Sequence, residues 1–130
     1  MTPMQAIDIF WNGFGLLAFD ENSVPEMIDN GQGVLVKLEP PYITYEAPQD
    51  DLGHPVVASA SVWTRSSSWG DVTDKVHEIA EYITRGGRMV KFTNGAVWIQ
   101  KASPWAQRLS DESDEMIRRI NMNLSYEFLN

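Results

Sequence analysis

Residues 119–128 read Arg-Ile-Asn-Met-Asn-Leu-Ser-Tyr-Glu-Phe, and this run decides the fold. Ile120, Met122, Leu124, Tyr126 and Phe128 are apolar, and the residues between them, Arg119, Asn121, Asn123, Ser125 and Glu127, are polar. Successive side chains of a strand point to opposite faces, so a period of two gives one dry face and one wet face. A helix would scatter the same residues around its circumference. The run is a strand, and the rest of the chain is expected to pack on its apolar side.

Upstream, Asn94-Gly95 separates two further apolar runs and signals a hairpin over Met89–Lys101. A turn centred on that pair sets Phe92 against Val97, Val90 against Ile99 and Lys91 against Trp98, with Trp98 on the face away from the aliphatic set. Val56–Arg65 is another strand. Its face of Val56, Ala58, Ala60 and Val62 is small enough for a helix to approach closely. Its other face carries Val57, Ser59, Ser61, Trp63 and Arg65. Tyr42–Ala47 is a strand after the Pro40-Pro41 pair, and Val34–Leu38 is a candidate short one.

Two helices complete the pattern. Thr2, Pro3 and Gln5 form a capping box with proline in the first turn, and Met4, Ile7, Phe10, Trp11 and Phe14 follow at helical spacing, giving a helix over about 3–17. Val72, Val76, Ile79, Ala80 and Ile83 make the stripe of a second helix, with Ser68 and Asp71 as its capping box and Gly86-Gly87 at its end. Pro48–Pro55 has turn chemistry, and Ala102–Glu115 reads as a long connection. The expected fold is a single α+β domain over residues 1–130, a mostly antiparallel β-sheet with two α-helices packed on one face.

Composition narrows the function classes. A chain of 130 residues with 43% hydrophobic content can bury a core. It has no cysteine, so disulfides and thiolate chemistry are excluded. No apolar run approaches the roughly 20 residues of a membrane span. The first basic residue is Lys37, so no secretory signal is expected. The formal net charge of -8 repels phosphate backbones, so no nucleic-acid partner is expected. The charge is also uneven. Residues 1–36 contain Asp8, Asp20, Glu21, Glu26 and Asp29 and no base, which suits either a solvated acidic end or an acidic edge that meets a basic edge of a neighbour.

The residues offer no catalytic, metal or cofactor constellation. His54 sits in a turn and His77 off the centre of a helix stripe, and neither has metal-ligand spacing. Asp111-Glu-Ser-Asp-Glu lacks the glycine and spacing of a calcium loop. Tryptophan stands out instead. Trp63 and Trp98 fall on non-core strand faces, and Trp69 and Trp105 fall in connections. Such rings either mark a protein interface or cover a second small cluster under the long connection. With Arg65, Arg108 and Arg119 they form the set of candidate interface residues.

Several segments, in order, resemble one protein family. They are Pro41-Tyr-Ile-Thr-Tyr-Glu, the Trp63-x-Arg-Ser-x-Ser-Trp69 pattern, His77-Glu-Ile-Ala-Glu-Tyr-Ile with Gly86-Gly87, Gly95-Ala-Val-Trp-Ile, Trp105-Ala-Gln-Arg, and Arg118-Arg-Ile-Asn-Met-Asn-Leu. Together they look like the tail terminator, or tail completion, proteins of long-tailed bacteriophages. The likeness spans about residues 41–130; residues 26–39 read as an insertion without a counterpart. The resemblance implies an α+β subunit of a homo-hexameric ring at the head-proximal end of the virion tail, assembled in the host cytoplasm. Its implied partners are further copies of itself, the tail-tube protein and the head–tail connector, with no catalytic residues and no cofactor. A head-completion adaptor is the neighbouring role, and a small ligand-binding or hydrolytic domain, built on the acidic loop and His77 with Glu78, is the alternative of a different class.

Overall fold

A computed structural model of the chain describes residues 1–48, 54–110 and 114–129. Helix α1 (Pro3–Trp11) leads through a 3-10 turn to β1 (Ala18–Asp20), β2 (Met27–Asp29), β3 (Leu35–Lys37), β4 (Tyr42–Tyr45) and β5 (Val56–Arg65). Helix α2 (Gly70–Ile83), β6 (Arg88–Phe92), β7 (Gly95–Ser110) and β8 (Ile117–Leu129) follow. A six-stranded sheet has the order β1-β4-β5-β8-β7-β6, antiparallel at every pairing except β1 with β4. Strands β2 and β3 pair only with each other. The fold class is α+β.

β8 lies between β5 and β7, and from Ile120 to Phe128 its even-numbered residues are buried while the odd ones keep partial exposure. Both helices pack on the buried side, α2 over β5, β8 and β7, and α1 over β6, β7 and β1. Ala58 and Ala60 let α2 approach β5, and Val72, Val76, Ile79 and Ile83 fill the space between. From α1, Ile7, Phe10 and Trp11 enter the same core. Phe10, Trp11, Phe14 and Tyr82 form an aromatic cluster of edge-on and tilted contacts where the two helices meet, with ring centroids 4.9–6.1 Å apart.

The local signals fare unevenly. The Thr2 capping box forms as expected, with Thr2 Oγ1 accepting from the Gln5 N–H and Gln5 Oε1 from the Thr2 N–H. α1 nevertheless stops at Trp11 rather than near Leu17. Asn12 turns its side chain onto the backbone, its Nδ2 donating to the Asp8 carbonyl and its Oδ1 accepting from the Ala18 N–H, which closes the helix and starts β1. The box expected at α2 does not form. The helix begins later, with Trp69 at the cap position, and Ser68 Oγ accepts from the Gly70 N–H. α2 ends at Ile83, capped by Thr84 at φ +69°, before the two glycines, and Arg88 reaches back so that Nε and Nη2 both donate to the Tyr82 carbonyl.

The β6–β7 loop is Thr93-Asn94, with Phe92 opposite Gly95, Val90 opposite Val97 and Met89 opposite Trp98. Of the Asn94-Gly95 pair, Asn94 alone has positive φ, +66°. The register is thus displaced by two residues from that expected. An even displacement keeps every side chain on its face, so Phe92, Val97 and Ile99 still enter the core and Trp98 does not.

The connection expected over 102–115 is for the most part strand. β7 runs on to Ser110 through an irregularity at which Ala102–Trp105 oppose the single residue Asn123. This stretch holds a cis Ser103–Pro104 bond, and Asn123 Nδ2 donates to the Pro104 carbonyl at 2.8 Å. Because Pro104 cannot donate to a ladder, an apolar period is broken there and the strand is hidden from pattern reading. The turn residues Gln49, Asp50, Asp51 and Gly53, and Asp111-Glu112-Ser113 of the acidic run, lie outside the described residues.

Two phenols tie α1 to the sheet. Trp11 Nε1 donates to the Tyr126 hydroxyl at 3.0 Å, and the Tyr45 hydroxyl donates to Asp8 Oδ1 at 2.6 Å. Burial raises the pKa of both phenols above the ordinary value; the hydrogen bond to Asp8 raises that of Tyr45 further, and the Trp11 donor partly offsets the rise at Tyr126. In the fold these groups keep protons that the unfolded chain releases near pH 10, so stability is full below that pH and falls above it. Tyr126→Phe should lower the unfolding free energy at neutral pH by about 1–3 kcal/mol, because the buried Trp11 N–H loses its partner. It should also flatten the alkaline loss of stability. Urea unfolding at several pH values checks both, and an unchanged alkaline slope contradicts the account.

Candidate assembly surface

The sheet face away from the helices is open, and cross-strand register determines what it displays. Tyr42 lies opposite Trp63, Trp63 opposite Arg119, and Arg119 opposite Leu109. The next row is Thr44, Ser61, Asn121 and Gln107. Side chains along these rows interact as the geometry of directly opposed residues requires. Trp63 stacks on Tyr42 with centroids 6.0 Å apart and planes at 23°. The Arg119 guanidinium lies over the Trp63 ring, 4.3 Å from its centroid. Phe19 of β1 meets Tyr42 edge-on at 6.3 Å, so an aromatic ladder ending in a cation crosses four strands.

Hydrogen bonds fix this ladder in place. Trp63 Nε1 donates to Thr44 Oγ1 at 2.9 Å, Arg119 Nε donates to Ser61 Oγ at 3.0 Å, and Ser61 Oγ donates to Asn121 Oδ1 at 3.0 Å. Thr44 and Ser61 are buried despite facing outward, because the large neighbours cover them. The Tyr42 phenol has a raised pKa, through burial first and the Glu39 carboxylate second, with Arg119 acting against both. The result is a preorganised surface with a planar aromatic floor and a fixed cation, of the kind that protein contacts use as an anchor.

The other candidate residues lie elsewhere. Arg65, at the end of β5, bonds Asp114 through Nη1 and approaches Glu39 at 3.8 Å, clamping two connections together. Trp69 packs against the core beside the start of α2, with Arg108 and Arg118 over its ring at 4.8 and 5.4 Å. Arg118 also bonds the Glu115 and Ser67 carbonyls. Trp105 is in β7, not a loop, and packs on the core. Trp98 Nε1 donates to the Gly86 carbonyl at 3.0 Å, and the indole lies against Gly87. Thus Trp63 and Arg119 come together on the open face, Trp69 and Arg108 come together at the start of α2, and Arg65, Trp98 and Trp105 stand apart.

Sequence reading missed Phe19, Tyr42 and Arg118 as members of these clusters. Tyr42 and Trp63 were each placed on a strand face, but pairing β4 with β5 requires the register between them. His77 Nε2 lies 2.9 Å from Glu81 Oε1, whereas Glu78 pairs with Lys75. Among the described residues no group of three or more His, Asp and Glu is placed to hold a metal ion. Comparison with family models, curated proteins and solved structures found no match.

Gly87 marks how closely the helix-to-strand connection approaches Trp98. Its φ is +93°, and a Cβ there would collide with Trp98 Nε1 and sit 2.9 Å from the Ile99 carbonyl. Trp98→Ala should leave a cooperatively folded subunit destabilised by about 1–3 kcal/mol, through the lost packing and hydrogen bond. Gly87→Ala should cost about 3 kcal/mol or more, since strain and overlap add. Urea denaturation of both variants checks this, and a neutral Gly87→Ala contradicts the close approach.

Proposed function

We propose that this protein is a structural component of a phage virion, a tail terminator whose copies form a ring on the end of the tail tube, stop its growth and present a surface to the head connector. The observation that carries this reading is the ordered set of segments from Pro41 to Leu124 that resembles those proteins. In the structure these segments supply β4, β5, α2, β7 and β8, a contiguous block of the sheet with its covering helix. The stretch without a counterpart, residues 26–39, holds the separate β2–β3 hairpin, outside that block. The open face with Tyr42, Trp63 and Arg119 adds a rigid anchor suited to a protein partner, and a ring uses head-to-tail contacts between identical subunits.

Mixing the purified protein with purified tail-tube protein tests the reading. Native mass spectrometry and negative-stain microscopy should show a closed oligomer seated on tube ends, with tube lengthening arrested once it binds. Absence of affinity for the tube, with growth unaffected, overturns the proposal; affinity for a head connector without affinity for the tube assigns the protein to the head side instead.

A further inference from the structure

The β2–β3 hairpin is a built element with nothing of its own sheet to cover it. Among the described residues its strands pair only with each other, and a lone two-stranded hairpin is marginal in water. Its tip is nonetheless fixed: Asp29 Oδ1 accepts from the Gly31 and Gly33 N–H groups, and the Asn30 N–H donates to the Val34 carbonyl. Met27, Val34, Leu35 and Val36 are 48%, 54%, 66% and 38% exposed, an apolar concentration that a solvated loop does not need. An open groove of about 460 Å³ lies between the hairpin and Tyr42, so the arm stands off from the sheet.

Charge identifies the surface that would receive it. Residues 20–37, from the end of β1 to the end of β3, carry four acids, Asp20, Glu21, Glu26 and Asp29, against one base, Lys37. Residues 84–92, the approach to β6 and β6 itself, carry Arg85, Arg88 and Lys91 and no acid. β6 is an edge strand, paired with β7 on one side, and just past its end the Thr93 N–H donates to the Met1 carbonyl. Since Phe92 and Gly95 close the hairpin, Met89 and Lys91 turn their backbone groups to the outer side. Met89 is 48% exposed there, and Lys91 on the strand and Arg85 in the approach to it are also exposed. The arm emerges between β1 and β4, at the other end of the strand order. Five strand spacings, about 24 Å, separate the two edges, so the arm of one molecule meets the β6 edge of another.

We propose that the β2–β3 hairpin of one copy docks along the β6 edge of a second copy of this chain. Leu35 and its apolar neighbours cover Met89, and the carboxylates of the arm face Arg85 and Lys91. Strand addition to an open edge supplies the backbone bonds, and opposite charge supplies direction. The contact is head-to-tail, because arm and edge are different surfaces. It deepens the ring reading by naming the joint between subunits, and rests on that reading only for closure into a ring.

The test uses the full chain without any tube protein, so its outcome is independent of tube binding. Leu35→Asp alters the arm and Met89→Asp the edge, both at exposed positions; Lys91→Glu is a second edge variant should Met89→Asp not fold, as circular dichroism will show. In sedimentation velocity the wild-type chain should self-associate, less so at high salt, and each variant should weaken that association by at least about tenfold. Mixing the arm variant with an edge variant should yield a one-to-one heterodimer, since each retains the surface the other lacks. A wild-type chain that stays monomeric at every concentration, edge variants that associate like the wild type, or a mixture that gives no heterodimer overturns the proposal.

Discussion

The apolar side chains at alternate positions of β8 all point to one side of the sheet, and everything else is arranged to keep that side dry. Ile120, Met122, Leu124, Tyr126 and Phe128 are buried in sequence, and the side chains of both helices close over them. Each contributes on the order of 1.5–3 kcal/mol on burial, before the entropy of ordering the chain is set against it. β8 also has a strand on each side, so its register determines that of β5 and β7. The Tyr126 hydroxyl extends the same constraint to α1, where it accepts the Trp11 indole N–H.

The alternation that makes one face dry leaves the other face polar, and that face supports the candidate assembly surface. Arg119 and Asn121 of β8 join Ser61, Trp63, Thr44 and Tyr42 in one set of stacked rings and hydrogen bonds. Asn123, also on that face, binds the Pro104 carbonyl where β7 is irregular. Polar residues at these positions therefore organise neighbouring strands as well as meeting solvent. The two ends of the sheet differ in character: the segment between β1 and β4 carries the apolar β2–β3 arm with four acids and one base over residues 20–37, and the β6 edge carries Arg88 and Lys91. That asymmetry suits the proposed head-to-tail association of copies in one direction.

Much of the fold was legible in the sequence because its strongest elements obey a single period. β8 alternates without interruption from Arg119 to Phe128, β5 alternates except at Val57 and Trp63, α2 keeps a helical stripe, and the Thr2 box marks the first helix. What escaped reading lacks a local signature. β1 and β2 are three residues each, too short for periodicity to register. In the second half of β7 the helix-side positions are Ala106, Arg108 and Ser110, all exposed, with Arg108 over the Trp69 ring, so the strand does not read as apolar. Asn94-Gly95 marked the right hairpin but not the loop residues, since Asn94 alone adopts positive φ. The candidate surface was legible as faces and not as contacts. Trp63 and Arg119 were each assigned to an outward face, yet their meeting depends on the pairing of β5 with β8, which no local pattern encodes.

The claim on which the account turns is that the two faces of β8 do different jobs. Equilibrium urea unfolding of Leu124→Asp and Ser125→Asp, neighbours in sequence on opposite faces, measures this directly. Leu124→Asp, which buries an unpaired charge, should abolish cooperative unfolding, whereas Ser125→Asp should remain folded within about 1 kcal/mol of the parent. Equal losses in the two variants, or a tolerated aspartate at 124, would contradict the assignment of faces from which the rest is built.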